Sequence, residues 1–239
     1  MAEPYFQFKK FRIYHHRHAF KVGTDGVLLG AWAEVNDGEE VLDIGTGSGL
    51  VALMVAQRAK VKVDAIDINE GAAAIASQNF QWSSFSDIHA HSYGLEHWKP
   101  EQSAVYDLIT CNPPFFTHDQ PPKDSVLNFA KHTVGLSPEV LFREAARLLK
   151  PTGRFAVIFP VTEQLVFLKN AEKFGFYVTQ QLNVAPLPNH EVIRHIITFT
   201  TFKPIGEQRA ETIVLEEKAG QRGYTEEYKR LTSDYFLRF

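Results

Sequence analysis

One stretch decides the fold of this chain: Val41-Leu42-Asp43-Ile44-Gly45-Thr46-Gly47-Ser48-Gly49-Leu50. An apolar run with an acid near its end stops at three glycines on alternate positions, and a helix-forming run continues from Leu50 to Ala56. The pattern predicts a buried strand, a tight turn and a helix start, where missing Cβ atoms let a ligand approach the backbone closely. A glycine turn with a purely structural role in an α/β fold would show the same pattern.

The spacing of the glycines indicates the kind of ligand. It reads Asp-x-Gly-x-Gly-x-Gly from Asp43, whereas nicotinamide-binding enzymes carry Gly-x-Gly-x-x-Gly and hold a pyrophosphate at the helix N-terminus. An acid just ahead of the turn would repel a diphosphate, but it would suit a ligand that carries an amino group. The spacing therefore disfavours an oxidoreductase.

Length and composition limit the class of protein. The chain has 239 residues, of which 44% are hydrophobic and 22% charged, so it has the composition of an ordinary globular protein. Because its net charge is -3, only a local patch of positive charge could bind a nucleic-acid partner. The single cysteine, Cys111, allows no intramolecular disulfide and fits a reducing compartment. Without a signal-peptide core or a run of ~20 apolar residues, we expect a cytoplasmic protein with no membrane partner.

Residues 5–22 form a basic and aromatic N-terminal extension. They contain five Lys or Arg residues and three histidines but no acid, with aromatic side chains interleaved. Partial alternation predicts two short strands with one face against the body. The pattern suits binding of looped or single-stranded RNA, because cations bind phosphates and flat rings stack on unstacked bases. A hairpin with a solvated basic face explains the pattern equally well. His15, His16 and His18 lack a Cys or acid at ligand spacing, so we predict no metal site.

The segment that follows the extension carries a charged turn. Gly23 and Gly26 bracket Thr24 and Asp25, and an apolar helix-like segment continues to Trp32. Together with Lys21, the turn would make a wall for a zwitterionic ligand, because a lysine meets a carboxylate and Asp25 an ammonium. Read alone, the same segment would simply be a helix with Asp25 as its N-cap.

Two further predicted strands end in polar residues. Asp67 ends the strand 61–67 and follows Gly49 at close to the ~20-residue spacing of a ribose-binding acid. One carboxylate accepts from both ribose hydroxyls, but Asp67 would also serve as N-cap of the helix 69–80. The short strand 88–92 ends in His91 and Ser92, and either side chain would face an adenine.

A second informative block is a strand that runs from Tyr106 into Asn112-Pro113-Pro114-Phe115. Two consecutive prolines fix an extended backbone without N–H donors, which holds the Asn112 side chain and the Pro113 carbonyl as two acceptors pointing the same way. Their natural complement is an exocyclic amino group, which offers two N–H donors. Phe115 is then placed to stack on the ring that bears this amine. We interpret Cys111 as a small buried residue rather than a nucleophile.

The rest of the chain alternates between predicted helices and strands, which implies one sheet with helices on both faces. We expect one domain over residues 1–239, with the extension over about 1–22 and a tail over about 205–239. The tail is strand-like over 211–217 and helix-like over 225–237, where Arg222, Lys229 and Arg230 would add to a basic rim or simply be solvated. Before the tail, the predicted helices are 138–150 and 162–174, and the predicted strands are 154–160, 176–184 and 192–200.

Together these motifs resemble the Asn-Pro-Pro-Phe/Tyr branch of S-adenosyl-L-methionine (SAM) dependent N-methyltransferases. The chain looks most like the bacterial tRNA1(Val) N6-adenine methyltransferases, which modify the adenine just 3′ of the anticodon. The resemblance covers essentially the whole chain and rests on Phe20–Trp32, Val41–Gly49, Asn112–Phe115 and the ending Gly223–Phe239. It implies an α/β, Rossmann-like class I fold with a mostly parallel seven-stranded sheet, SAM as cofactor, and tRNA bound through its anticodon stem-loop region.

The resemblance also suggests which residues form the site. Ser92 departs from the acid often found after the third strand of SAM enzymes. The predicted catalytic residues are Asn112, Pro113, Pro114 and Phe115. The predicted SAM-binding residues are Lys21, Gly23, Thr24, Asp25, Asp43, Gly45, Gly47, Gly49, Asp67, Ser92 and Asn112.

Other functions remain compatible with these motifs. N5-glutamine methylation of a protein is one, because a side-chain amide also offers an amino group, but such enzymes usually carry a longer helical N-terminal domain. An inactive RNA-binding protein of the same fold is another, although the intact Asn112-Pro113-Pro114 argues against it. DNA adenine methylation is disfavoured, because no added target-recognition domain is visible. The sequence does not indicate the oligomeric state.

Overall fold

A mostly parallel sheet forms the centre of the structure, a computed structural model that describes residues 5–14, 22–100, 104–114, 136–206, 208–218 and 223–238. Within these residues the strands are β1 (Tyr5–Gln7), β2 (Arg12–Tyr14), β3 (Glu40–Ile44), β4 (Lys62–Asp67), β5 (Ile88–Ser92), β6 (Tyr106–Cys111), β7 (Leu149–Pro160), β8 (Tyr177–Ala185), β9 (Arg194–Thr200) and β10 (Arg209–Val214). The helices are α1 (Thr24–Trp32), α2 (Leu50–Arg58), α3 (Glu70–Gln81), α4 (Pro138–Leu148), α5 (Gln164–Lys173) and α6 (Glu226–Thr232). None of the helices in this part of the chain is long and apolar enough to cross a membrane.

The described part of the central sheet has eight strands in the order β10-β8-β9-β7-β6-β3-β4-β5. Only β9 runs antiparallel to its neighbours, β7 and β8. The family resemblance implied seven strands, and the eighth is β10, in the tail segment that was predicted to be strand-like; it pairs in parallel with β8. Because β10 covers the edge of β8, it satisfies backbone groups that would otherwise be unpaired.

The strand order places the two informative sequence blocks side by side. From β3 the chain proceeds outward through β4 to β5, and it then returns to β6 on the other side of β3. β3 and β6 pair in parallel, with Asp43 opposite Thr110 and Ile44 opposite Cys111. The glycine turn after β3 and Asn112 after β6 therefore leave the sheet at the same edge, at the point where the strand order reverses. Open α/β sheets bind their ligands in the crevice at such a point.

Alternating strand residues feed two hydrophobic cores, one on each face of the sheet. Val41 and Leu108 belong to the core beneath α1, α2 and α3, whereas Leu42 and Ile109 belong to the core beneath α4 and α5. The two-stranded hairpin of β1 and β2 packs on the first face through Phe8, Phe11 and Ile13, all buried. This confirms the predicted pair of short strands with one face against the body.

Residues 151–153, which separate the predicted helix 138–150 from the predicted strand 154–160, form a bulge within β7, because the helix ends at Leu148 and the strand already begins at Leu149. Leu149 still pairs with Tyr106, and the register then shifts so that Arg154 pairs with Leu108. A Cβ on Gly153 would lie 2.9 Å from the carbonyl oxygen of Tyr106. Only glycine lets the bulged strand approach its neighbour this closely.

Candidate active site

The three glycines of the turn have different structural roles. Gly45 and Gly47 have φ of +67° and +58°, and a Cβ built on either would meet no atom of the described residues within 4 Å. Both therefore present bare backbone to open space. Gly49 has φ of +84°, but a Cβ there would overlap the ring of Phe80 on α3. The first two glycines are thus available to a ligand, whereas Gly49 allows helices α2 and α3 to pack together.

Asp43 is a buried connection between the turn and the neighbouring strand. Its side chain accepts hydrogen bonds from the hydroxyls of Thr46 (2.7 Å) and Thr110 (2.8 Å), and the residue is only 2% exposed. Burial raises the pKa of this carboxyl to about 6, although both threonine hydroxyls work in the opposite direction. Since Thr110 lies two residues before Asn112, Asp43 fixes the turn relative to the strand that carries the second block.

Asp67 lies at the end of β4, beside the open part of the turn. Its carboxylate accepts hydrogen bonds from the backbone N–H groups of Gly47 (2.9 Å) and Asn69 (2.8 Å). Burial raises the pKa of Asp67, and both N–H groups oppose the rise. The N-cap of α3 is Asn69, whose side chain accepts a hydrogen bond from the N–H of Ala72. The N-cap role considered for Asp67 therefore belongs to Asn69.

The two candidates for an adenine contact lie on opposite faces of the sheet. Ser92 is exposed and pairs in register with Asp67, so the two side chains share a face. The ring of His91 points to the other face, where it lies 2.9 Å from a carboxylate oxygen of Asp64. Ile68 and Tyr93, which directly follow Asp67 and Ser92, are about half exposed at 49% and 50%. Sequence reasoning missed these two apolar side chains, although their place after two strand ends could have indicated them.

The Asn-Pro-Pro corner follows β6 directly. Asn112 is half-buried, Pro113 is buried and Pro114 is exposed. Within the part of the chain that the structure describes, no hydrogen bond occupies the Asn112 side chain. A Cβ on Gly26 would lie 3.8 Å from Asn112 Nδ2 and 3.0 Å from a methyl carbon of Leu50, so the first turn of α1 lies close to this corner. Phe115 and Lys21 lie outside the described residues.

The charged turn ahead of α1 contains an ion pair that the sequence did not indicate. Gly23 is the N-cap and Thr24 the first helical residue, so Asp25 is in the first turn and is not the N-cap. Arg194 Nε on β9 lies 2.9 Å from Asp25 Oδ2, and each side chain is 29% exposed. The carboxylate that was expected to meet an ammonium is thus already paired with a guanidinium from a distant strand.

The described residues fit SAM as a ligand. Open backbone at Gly45 and Gly47 admits a chain close to the turn, and the Asp67 carboxylate keeps lone pairs beyond the two N–H groups that orient it. Ser92 adds an exposed hydroxyl on the same face as Asp67. All of them follow strands at the same edge of the sheet.

The architecture is that of class I methyltransferases. A predicted O-methyltransferase from Agrobacterium tumefaciens aligns with a TM-score of 0.62 and 14% identity, over 88% of this chain and 96% of that one. This likeness shows the shared fold. Residues 19–166 match the family described as the methyltransferase small domain. The fold and these residues define a SAM-dependent methyltransferase.

Two relatives identify the family more closely. A protein of Parabacteroides distasonis named tRNA1(Val) (adenine(37)-N6)-methyltransferase is 37% identical over 239 residues, which cover all of both chains. A Bacteroides fragilis protein of the same name is 40% identical over 241 residues, again covering all of both chains. The chain belongs to the tRNA1(Val) (adenine(37)-N6)-methyltransferase family, which confirms the resemblance seen in the sequence.

Proposed function

We propose that this protein transfers a methyl group from SAM to N6 of an adenine in tRNA, and that the target is adenine 37 of tRNA1(Val). The observation that carries the proposal is the position of Asn112, which follows the strand next to the glycine turn and whose side chain makes no hydrogen bond within the described part of the chain. The names of the two relatives support the choice of substrate. The tRNA enters through its anticodon stem-loop, and the enzyme acts in the cytoplasm as one methyltransferase domain over residues 1–239.

Each group of residues holds one part of the cofactor. Gly45 and Gly47 contact it through their backbone, Asp67 accepts from the ribose hydroxyls, and Ser92 faces the adenine. The turn of Gly23, Thr24 and Asp25, with Lys21, bounds the methionine end. When bound, SAM supplies an electrophilic methyl group on a sulfonium. Asp43 and Gly49 act on the cofactor indirectly, because one fixes the turn to β6 and the other packs it against α3.

Asn112 and Pro113 orient the nucleophile. The side-chain carbonyl of Asn112 and the backbone carbonyl of Pro113 accept the two N6 hydrogens of the adenine. Two acceptors on one side favour a pyramidal nitrogen, whose lone pair then points away from them. The bond from N6 to the methyl group would form as the sulfonium–methyl bond breaks, and the surplus N6 proton would leave for solvent after the transfer. This positioning lowers the barrier without a covalent enzyme intermediate, since the reacting atoms are held in line.

The target adenine must first leave its stack. Extrusion costs a few kcal/mol and is cheapest in a loop. Stacking on an aromatic side chain returns about 1–3 kcal/mol, and Phe115 follows the Asn-Pro-Pro corner in the sequence at the place where such a ring is needed. Pro114 keeps the backbone between them extended.

Substitution of Asn112 tests the proposal. In Asn112→Ala, turnover should fall by roughly 10²- to 10³-fold, the effect of losing one preorganised polar contact, while SAM affinity stays nearly intact. The assay is tritium transfer from labelled SAM to a tRNA1(Val) transcript, with mass spectrometry to locate N6-methyladenosine. Asn170→Ala is the matched control, because that asparagine is half-buried like Asn112 and its side chain bonds only within its own helix, α5.

The two parts of the proposal fail in different ways. Wild-type turnover in Asn112→Ala would contradict the role of this residue. Absence of N6-methyladenosine in tRNA treated with the wild-type enzyme would contradict the proposed activity. A transcript with guanine at position 37 should accept no methyl group, and methylation of that transcript would contradict the proposed target.

A further inference from the structure

Three aromatic side chains from two separate elements form a row on the side of the sheet that α1, α2 and α3 cover. Tyr5 and Tyr14 face each other across the hairpin with ring centroids 5.4 Å apart. The ring of Trp82, directly after α3, lies 4.3 Å from that of Tyr14. At the other end, the guanidinium of Arg12 lies 5.1 Å from the Tyr5 ring centroid. We call Tyr5, Tyr14 and Trp82 the aromatic row.

The aromatic row is solvent-accessible but rests on a buried support. Tyr5 and Trp82 are 49% and 52% exposed, although large aromatic side chains normally pack inside a protein. The opposite face of the hairpin is fixed in the core by Phe8 and Phe11. Rings held in place in this way lose little conformational freedom when a flat ligand stacks on them.

Hydrogen bonds connect the aromatic row to the active site. The N–H of Tyr14 donates to Asn79 Oδ1 (3.1 Å), and Asn79 Nδ2 donates to the carbonyl of Ser48 (2.8 Å). Asn79 is buried, and Ser48 belongs to the glycine turn. The strand that carries Tyr14 is therefore joined to the glycine turn through one buried side chain.

The hairpin that carries Tyr5 and Tyr14 is positively charged. Lys9, Lys10 and Arg12 are exposed, and the sequence from Tyr5 to Tyr14 contains no acid. The chain as a whole has a net charge of -3, so the hairpin is a local departure from the overall sign. Cations beside exposed rings suit a ligand with negative charges and flat faces at the same spacing.

We propose that the aromatic row and the cations beside it bind unpaired nucleotides of the tRNA substrate. The bases stack on Trp82 and Tyr5, and the phosphates meet Lys10 and Arg12. An acidic peptide would use the cations but would leave the rings without a partner. The inference rests on the proposed function, because it names a surface that holds the same RNA while the target adenine is in the active site.

Single substitutions test the stacking. Trp82→Ala and Tyr5→Ala should each raise the Kd for a fluorescein-labelled tRNA1(Val) transcript by roughly 5- to 150-fold, which corresponds to loss of one base–aromatic stack. Fluorescence anisotropy measures the Kd, and thermal melting checks that the variants stay folded. Tyr177→Ala is the control, because Tyr177 is a similarly exposed aromatic residue at 43%, on β8. Unchanged Kd values in both row variants would overturn the proposal.

A double substitution tests the phosphate contacts. In Lys10→Ala/Arg12→Ala, the slope of log Kd against log salt concentration should decrease by about 1.4, since each phosphate contact to a single strand contributes about 0.7. The control is Lys62→Ala/Lys203→Ala, which removes two exposed cations elsewhere. An equal decrease in the control would mean that general charge, and not this surface, accounts for the binding, and the proposal would be wrong.

The kinetics separate this proposal from the proposed function. If the wild-type enzyme methylates tRNA, the row variants should raise KM for tRNA and leave kcat and the Kd for SAM unchanged. Wild-type KM values would overturn the surface while leaving the activity intact. If the wild-type enzyme does not methylate tRNA, the proposed function fails, and weaker tRNA binding by the variants would still support the surface.

Discussion

Replacement of Asp43 by asparagine removes a buried charge while keeping the shape of the side chain. Burial raises the pKa of this carboxyl to about 6 from the ordinary 3.8. At 1.36 kcal/mol per pKa unit, the difference means that the ionised form costs the folded state about 3 kcal/mol. In Asp43→Asn the amide oxygen accepts from the backbone N–H of Ala52 and from one threonine, and the amide N–H group donates to the other threonine, whose hydroxyl can accept as well as donate.

The direction of the pH effect follows from which state holds the proton. Between about pH 4 and 6 the unfolded chain has already released it, whereas folded Asp43 retains it. This contribution to stability is fully present below about pH 4 and is lost as the pH rises through about 6. The asparagine variant has no such loss. Its stability relative to the wild-type protein should therefore increase by about 3 kcal/mol between pH 3 and 7.

Urea unfolding at a series of pH values measures the difference. The free energy of unfolding is compared at each pH between the wild-type protein and Asp43→Asn, so the contributions of all other carboxyl groups cancel. Asp87→Asn, which alters an exposed carboxyl, should give a curve parallel to the wild type. Parallel curves for Asp43→Asn as well would refute the assignment of a raised pKa to this buried group.

Two further predictions concern the other residues around the glycine turn. Gly47→Ala should weaken SAM binding, measured by calorimetry, since its methyl group enters the open side of the turn. Gly49→Ala should chiefly lower the melting temperature, because its methyl group overlaps Phe80. Equal effects of the two variants on SAM affinity would contradict this difference between the two glycines. Asp67→Asn should raise the Kd for SAM by roughly 10-fold or more, as an amide replaces one of the oxygens held by Gly47 and Asn69, and an unchanged Kd would exclude the ribose contact.

Local patterns in the sequence were enough to predict the main elements of the fold. The strand, turn and helix around Gly45–Leu50 and the strand before Asn112 are each encoded by short runs of residues. Their adjacency follows from the general rule that such sheets reverse their strand order beside the first strand. The predicted fold and family are confirmed, whereas the roles of individual site residues remain predictions.

Contacts between distant parts of the chain could not be predicted in the same way. Arg194 pairs with Asp25 only because β9 inserts antiparallel beside β7, and no local sequence pattern predicts that insertion. Trp82 joins Tyr14 because α3 packs against the hairpin, although the two are far apart in the sequence. Sequence reasoning therefore found the rings and cations of the hairpin but not the ring that completes the row.

The Asp-x-Gly-x-Gly-x-Gly pattern thus combines two requirements in one short segment. Its first and last positions face the protein: Asp43 connects to Thr110, and Gly49 makes room for Phe80. Its middle glycines face open space. Packing at both ends holds the backbone between them in left-handed conformations, which lowers the free energy that binding must supply to order it. The two ends of the motif therefore have a structural role, and only its middle glycines are available to a ligand. Substitutions of Asp43 or Gly49 should change stability more than they change the affinity for SAM.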